Sequence, residues 1–260
     1  MESRNPVFRQ ANAHQRGWGT PTPTPEQLQG MYDRPSYAPP AQRAMTIDDV
    51  VVRGFITLGT LVVSAAAAWA LNLGTAAMML GVIVGLVLGL IVSFKQSTNP
   101  VLILGYAVGY GVAVGVASHV YNDLYNGIVL QAVLGTALAF GGTLAVYALR
   151  IVRVTPKFTK FVVAAGLALM GLMLVNWIAG YFMEGGLGLR TGDGLLSYAF
   201  SVAAILIGCF FLLLDFNSVE EGVRAGVPER YSWLMAFGLT VTLVWLYLEI
   251  LRLISYFSRD

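Results

Sequence analysis

Two acids interrupt apolar stretches of this chain. Asp215 closes the run 195–214, and Glu249 lies inside the run 233–256. A carboxylate at the centre of a membrane helix costs about 2.5–3.5 kcal/mol on insertion scales. Such residues usually face a bundle interior and mark an ion or proton path. Two carboxylates held together in low dielectric cannot both ionise cheaply, so they share a proton. The shared proton would tie one helix to the other. Its loss would push them apart and expose hard oxygen ligands suited to Ca²⁺.

Other chemistries are poorly provided for. The two histidines are His14 and His119, too few for a zinc hydrolase built on several His ligands. Ser118 and His119 are adjacent, so on a helix they point apart and make no nucleophile–base pair. There is no Gly-x-Ser-x-Gly elbow and no phosphate-binding Gly-rich loop. Lys95, Lys157 and Lys160 all fall between apolar runs, which excludes a retinal Schiff base in the last one. The single cysteine, Cys209, reads as a small buried hydrophobe. No enzyme, no bound cofactor and no nucleic-acid partner is expected; the net charge is only +2.

The elements that must position the acids are helices in lipid. The 260 residues are 57% hydrophobic and 12% charged, about half the charge of a soluble domain. Apolar runs long enough to cross the hydrocarbon, about 20 helical residues each, fall near 50–73, 75–94, 100–120, 127–149, 161–182, 195–215 and 233–257. The expectation is an all-α polytopic protein. A seven-helix transmembrane domain would occupy residues 45–260, and residues 1–44, polar and rich in Pro, Gln and Gly, would form a disordered tail. The short turn at 72–74 predicts a hairpin of the first two helices. Gly81, Gly85 and Gly89 in the second helix, and Gly105, Gly109, Gly111 and Gly115 in the third, predict close backbone packing between those two. A compact monomer is expected.

Placing the N-terminus in the cytoplasm puts every one of the 16 Lys and Arg residues inside except Arg190, Arg252 and Arg259. That distribution follows the positive-inside rule. It predicts a multi-pass protein with a cytoplasmic N-terminus; the polar tail and simple helix bundle suit the cell membrane, with an organellar membrane as the alternative.

The strings Asp215-Phe216-Asn217 and Leu246-Tyr247-Leu248-Glu249, the latter followed by an aliphatic stretch with Arg252, resemble the ends of the sixth and seventh helices in the transmembrane Bax inhibitor motif family. That family comprises Bax inhibitor-1 and YccA-like proteins. The resemblance extends over residues 45–257 in span number and in the short first hairpin. It implies a pH-sensitive calcium leak in which Asp215 and Glu249 form the sensor and line the calcium path. Lys95 and Arg252 are the nearest charge partners. The chain departs from the family pattern in having Glu where the second acid is usually Asp, and a longer stretch, 217–232, between the two helices than the simplest relatives have.

Two other functions use the same features. A proton-coupled solute transporter could employ the acids as a relay, although no internal repeat supports it. A regulatory membrane protein could bind a membrane protease or a stress factor through the tail and the charged segment 219–230. More locally, Arg252 lies three residues beyond Glu249 and could simply neutralise it.

Overall fold

The computed structural model describes residues 24, 25, 29, 43–183, 185–190 and 194–258. Most of the expected disordered tail lies outside them. Among the described residues seven long helices follow one another: α1 (Ile47–Ala70), α2 (Thr75–Lys95), α3 (Pro100–Leu124), α4 (Ile128–Ala148), α5 (Pro156–Ala179), α6 (Leu195–Arg224) and α7 (Tyr231–Phe257). Each is long and apolar enough to cross a membrane. Large apolar side chains such as Phe55, Val63, Leu138 and Leu167 lie exposed on the outside of the bundle, the arrangement of a protein whose solvent is lipid.

Local chemistry sets the helix starts. Thr46 caps α1 reciprocally with Asp49, and Asn99 and Thr155 cap α3 and α5 just ahead of Pro100 and Pro156. These side chains satisfy amides that a first turn leaves open.

Helix α7 forms the hub. It packs against α1, α3, α4 and α6, whereas α2 leans mainly on α3 and α5 on α6. Burial agrees: 50% of the most apolar window is buried in α3 and in α7, against 17% in α1, α2, α4 and α5. Around α7, Val244 joins Leu61 and Val114, Phe237 joins Val92 and Tyr106, and Leu251 joins Ile128 and Ala132.

The glycine pattern acts as anticipated between α2 and α3, and it also acts on the opposite side of α3. A Cβ on Gly81 would stand 2.6 Å from the Gly109 carbonyl oxygen. A Cβ on Gly115 would stand 2.3 Å from the Ala65 carbonyl oxygen. Bare backbone at these positions is what lets three helices touch. The outcome corrects the expected hairpin. α1 and α2 follow a short turn, but each packs chiefly on α3, which lies between them.

The chain ahead of α1 is fastened to the α6–α7 turn. Met45 N donates to the Val227 carbonyl (2.8 Å) and Glu229 N to the Arg43 carbonyl (2.8 Å). These bonds flank an isolated bridge between Ala44 and Pro228. Arg43 and Ala44, assigned by sequence to the tail, thus belong to the compact unit Arg43–Asp260.

Candidate functional site

Asp215 sits within α6, nine residues before its end at Arg224. The sequence suggested a long loop over 217–232; most of it is helix. The polar turns persist because Arg224 Nη2 donates to Glu220 Oε1 (2.6 Å) one turn back, and the Tyr147 hydroxyl on α4 donates to Glu220 Oε2. An i,i+4 pair plus an inter-helix bond is enough to carry a helix past its apolar segment.

The half-buried Asp215 carboxylate faces α7. Thr242 Oγ1 donates to Asp215 Oδ2 at 2.7 Å, and a Cβ built on Gly238 would lie 3.7 Å from Asp215 Oδ1. The bond joins α6 to α7 directly.

Glu249 is 5% exposed. Its Oε1 accepts from Arg190 Nη2 at 2.8 Å and from Arg252 Nη1 at 3.4 Å. Its Oε2 is buried with no hydrogen-bond partner among the described residues. Arg190 comes from the segment between α5 and α6. It also reaches the Met173 sulfur (3.1 Å), and its guanidinium lies 5.9 Å from the centre of the Phe200 ring. Phe200 itself packs with Leu169 and Leu189, which fixes this end of the bundle.

The two acids are not joined in this conformation. Asp215 pairs with Thr242, and Glu249 pairs with the two arginines. The expected shared proton therefore has no geometric counterpart here, and helix register explains why. Glu249 follows Thr242 by seven residues, two turns and about 10 Å along the same face of α7. α6 shows the same interval. Gly208, seven residues before Asp215, receives Leu246, whose Cδ2 would stand 2.7 Å from a Cβ there. The seam thus reads, in order, an Asp–Thr bond, a fully buried Leu246 against a glycine, and then a Glu with two arginines.

Of the anticipated charge partners, Arg252 lies beside Glu249 and Lys95 does not. Lys95 ends α2 as an exposed residue, on the turn after Val92, whose neighbour Phe237 precedes Glu249 by twelve residues of α7. Arg190 was missed. Its one signal was that, with Arg252 and Arg259, it is one of the few basic residues that the charge asymmetry leaves outside. Among the described residues no three His, Cys, Asp or Glu side chains converge on a possible metal position.

Seven apolar helices with ionisable side chains turned inward define a multi-pass membrane protein of the helical-bundle class. Within that class its family is clear. The family model described as Bax inhibitor 1 like matches residues 5–259, and the chain belongs to this family. None of the curated proteins is similar to it at a significant level.

Proposed function

We propose that this protein is a pH-sensitive calcium leak whose path follows the α6–α7 seam. The observation that carries the reading is the Asp215 carboxylate bonded across the seam to Thr242. When Asp215 is protonated it is neutral, tolerable in apolar surroundings, and still bonded to α7. When it loses the proton, a charge is left among apolar helices at a cost of kilocalories. States in which the seam admits water or a cation are then favoured. The carboxylate and the Thr242 hydroxyl supply hard oxygen ligands of the kind Ca²⁺ prefers. Glu249, two turns along the same face, is the second acid of the path. Arg190 and Arg252 restrain it and must release it before a cation can replace them. Low pH closes the path and higher pH opens it. The proton acts on each acid separately rather than on a joined pair.

The asymmetry of basic residues supports a cytoplasmic N-terminus, and we place the protein in the cell membrane. The Asp215 end of the seam would then be the inner one. A monomer suffices for such a path, and no catalytic step is assigned.

A regulatory reading has one observation in its favour. Arg53 Nη2 and Arg43 Nε hold Glu229 of the α6–α7 turn at 2.5 and 3.2 Å. The residues leading out of the tail are thereby coupled to the helices that carry the acids. A protein bound to the tail could pull on this knot.

Calcium flux into liposomes of defined lipid tests the leak. Wild-type flux should fall as the pH is lowered. Asp215→Asn should lose that dependence, and deletion of residues 1–42 should leave flux intact. A wild-type pH response in the Asp215→Asn protein would remove Asp215 from the sensor role.

A further inference from the structure

A cleft of about 540 Å³ opens between the end of α4, the α4–α5 connection and the last turns of α6. Tyr147, Arg150, Arg153, Asn217, Glu220 and Arg224 line it. Three guanidinium groups thus surround one carboxylate. Both Glu220 oxygens are already engaged, Oε1 by Arg224 and Oε2 by the Tyr147 hydroxyl. Arg150 lies close enough to act on Glu220 through its charge, but neither it nor Arg153 makes a direct ion pair with a described carboxylate, as Arg224 does. The cleft therefore carries an excess of positive charge that this part of the chain does not neutralise.

A helix end and an exposed apolar pair border it. Arg150 takes a φ of +54°, a left-handed position at a helix end that Gly usually fills. Asn72 and Gln96 take the same conformation at the ends of α1 and α2. Beside the two arginines, Leu149 and Ile151 are 72% and 67% exposed. The segment that contributes Arg150 and Arg153 to the cleft thus also exposes apolar side chains outside it, at one end of the spans. Lys157 and Lys160, on the first turns of α5, add to the local field.

We propose that this cleft binds a phosphate group, with Arg150, Arg153 and Arg224 as its donors. Arginine forks match phosphate oxygens in bidentate fashion, and basic pockets between membrane helices suit anionic lipid headgroups. The volume is in the range of small-ligand pockets and accommodates a phosphodiester with its glycerol. The phosphate comes from an anionic phospholipid or from a soluble phosphate compound; Leu149 and Ile151 favour the lipid. The site is separate from the seam of acids, and its fate does not depend on whether the protein conducts calcium.

Native mass spectrometry of the full chain, released from nanodiscs of equal phosphatidylglycerol and phosphatidylcholine, tests the site. The wild type should retain phosphatidylglycerol over phosphatidylcholine at least fivefold. The R150Q/R153Q protein should lose that preference, and the charge-matched K95Q/R230Q protein should keep it. A second arm follows inorganic phosphate by phosphorus NMR in delipidated, detergent-solubilised protein. Phosphate binding lost in R150Q/R153Q, without a lipid preference, assigns the site to a soluble phosphate. Equal lipid retention by wild type and R150Q/R153Q, with no phosphate binding sensitive to those substitutions, overturns the proposal. So does equal loss in K95Q/R230Q, which would mean a diffuse charge effect. Helical circular dichroism of each variant verifies that the bundle is intact.

Discussion

Arg190 donates to Glu249 at 2.8 Å, and the carboxylate it holds is far more buried than the guanidinium, with side chains 7% and 29% exposed. The pair links the α5–α6 connection to the hub helix α7. The imbalance in burial has an energetic consequence. Removing the arginine strands the more buried partner, whereas removing the acid frees a group that can still reach water.

Arg190→Ala should lower stability by roughly 2 kcal/mol, somewhat less than a fully buried pair would lose, because Arg252 remains near the acid. Adding Glu249→Gln to that background should restore part of the loss. Thermal unfolding in detergent reads both effects. A double variant less stable than Arg190→Ala alone would contradict the assignment of Glu249 as the stranded charge.

Thr242→Val keeps the shape of the side chain and removes the bond to Asp215. A single hydrogen bond contributes about 1 kcal/mol, somewhat more when the acceptor is charged. The expected outcome is a small stability loss with raised basal calcium flux at low pH, because α6 and α7 are then held less firmly. Unchanged flux at every pH would separate the bond from gating.

Gly115→Ala should destabilise by about 1–3 kcal/mol through overpacking, since the new methyl would meet Ala65 backbone at 2.3 Å. Gly59→Ala, on α1 with nothing within 4 Å, should be neutral or slightly stabilising in the same unfolding assay. Similar losses at both positions would deny the close approach of α1 and α3.

Arg53→Ala should loosen the knot on Glu229 while leaving the helices intact. Hydrogen exchange at the amides of Met45 and Glu229, which donate across the bridge, should accelerate about tenfold, the equivalent of about 1.4 kcal/mol of local stability. Amides in mid-α7 should be unaffected. Uniform acceleration across the bundle would mean that the knot supports global rather than local stability.

Much of this architecture could be read from local sequence. Seven runs of apolar residues are enough for seven spans, because crossing hydrocarbon is a demand on length and composition that each helix meets alone. The inward placement of Asp215 and Glu249 was legible for a similar reason: a carboxylate in an apolar run turns away from lipid. Glycine spacing announced the contact of α2 with α3, since small residues in a column have few other uses in lipid.

Tertiary structure decided how those parts meet. The second glycine column on α3 brought α1 against it, so the first two helices straddle a third instead of closing on each other. The extension of α6 to Arg224 rests on Tyr147 from α4 as well as on its own Glu220–Arg224 pair. The offset between the acids comes from the interlock of Leu246 with Gly208, which sets the sliding register of two antiparallel helices. Arg190 reaches Glu249 across 59 residues of chain. Register and long-range reach arise from side chains fitting a neighbour that is distant in sequence, so no window of the chain contains them. Apolar length and buried charge are properties a helix carries by itself, and these the sequence determined unaided.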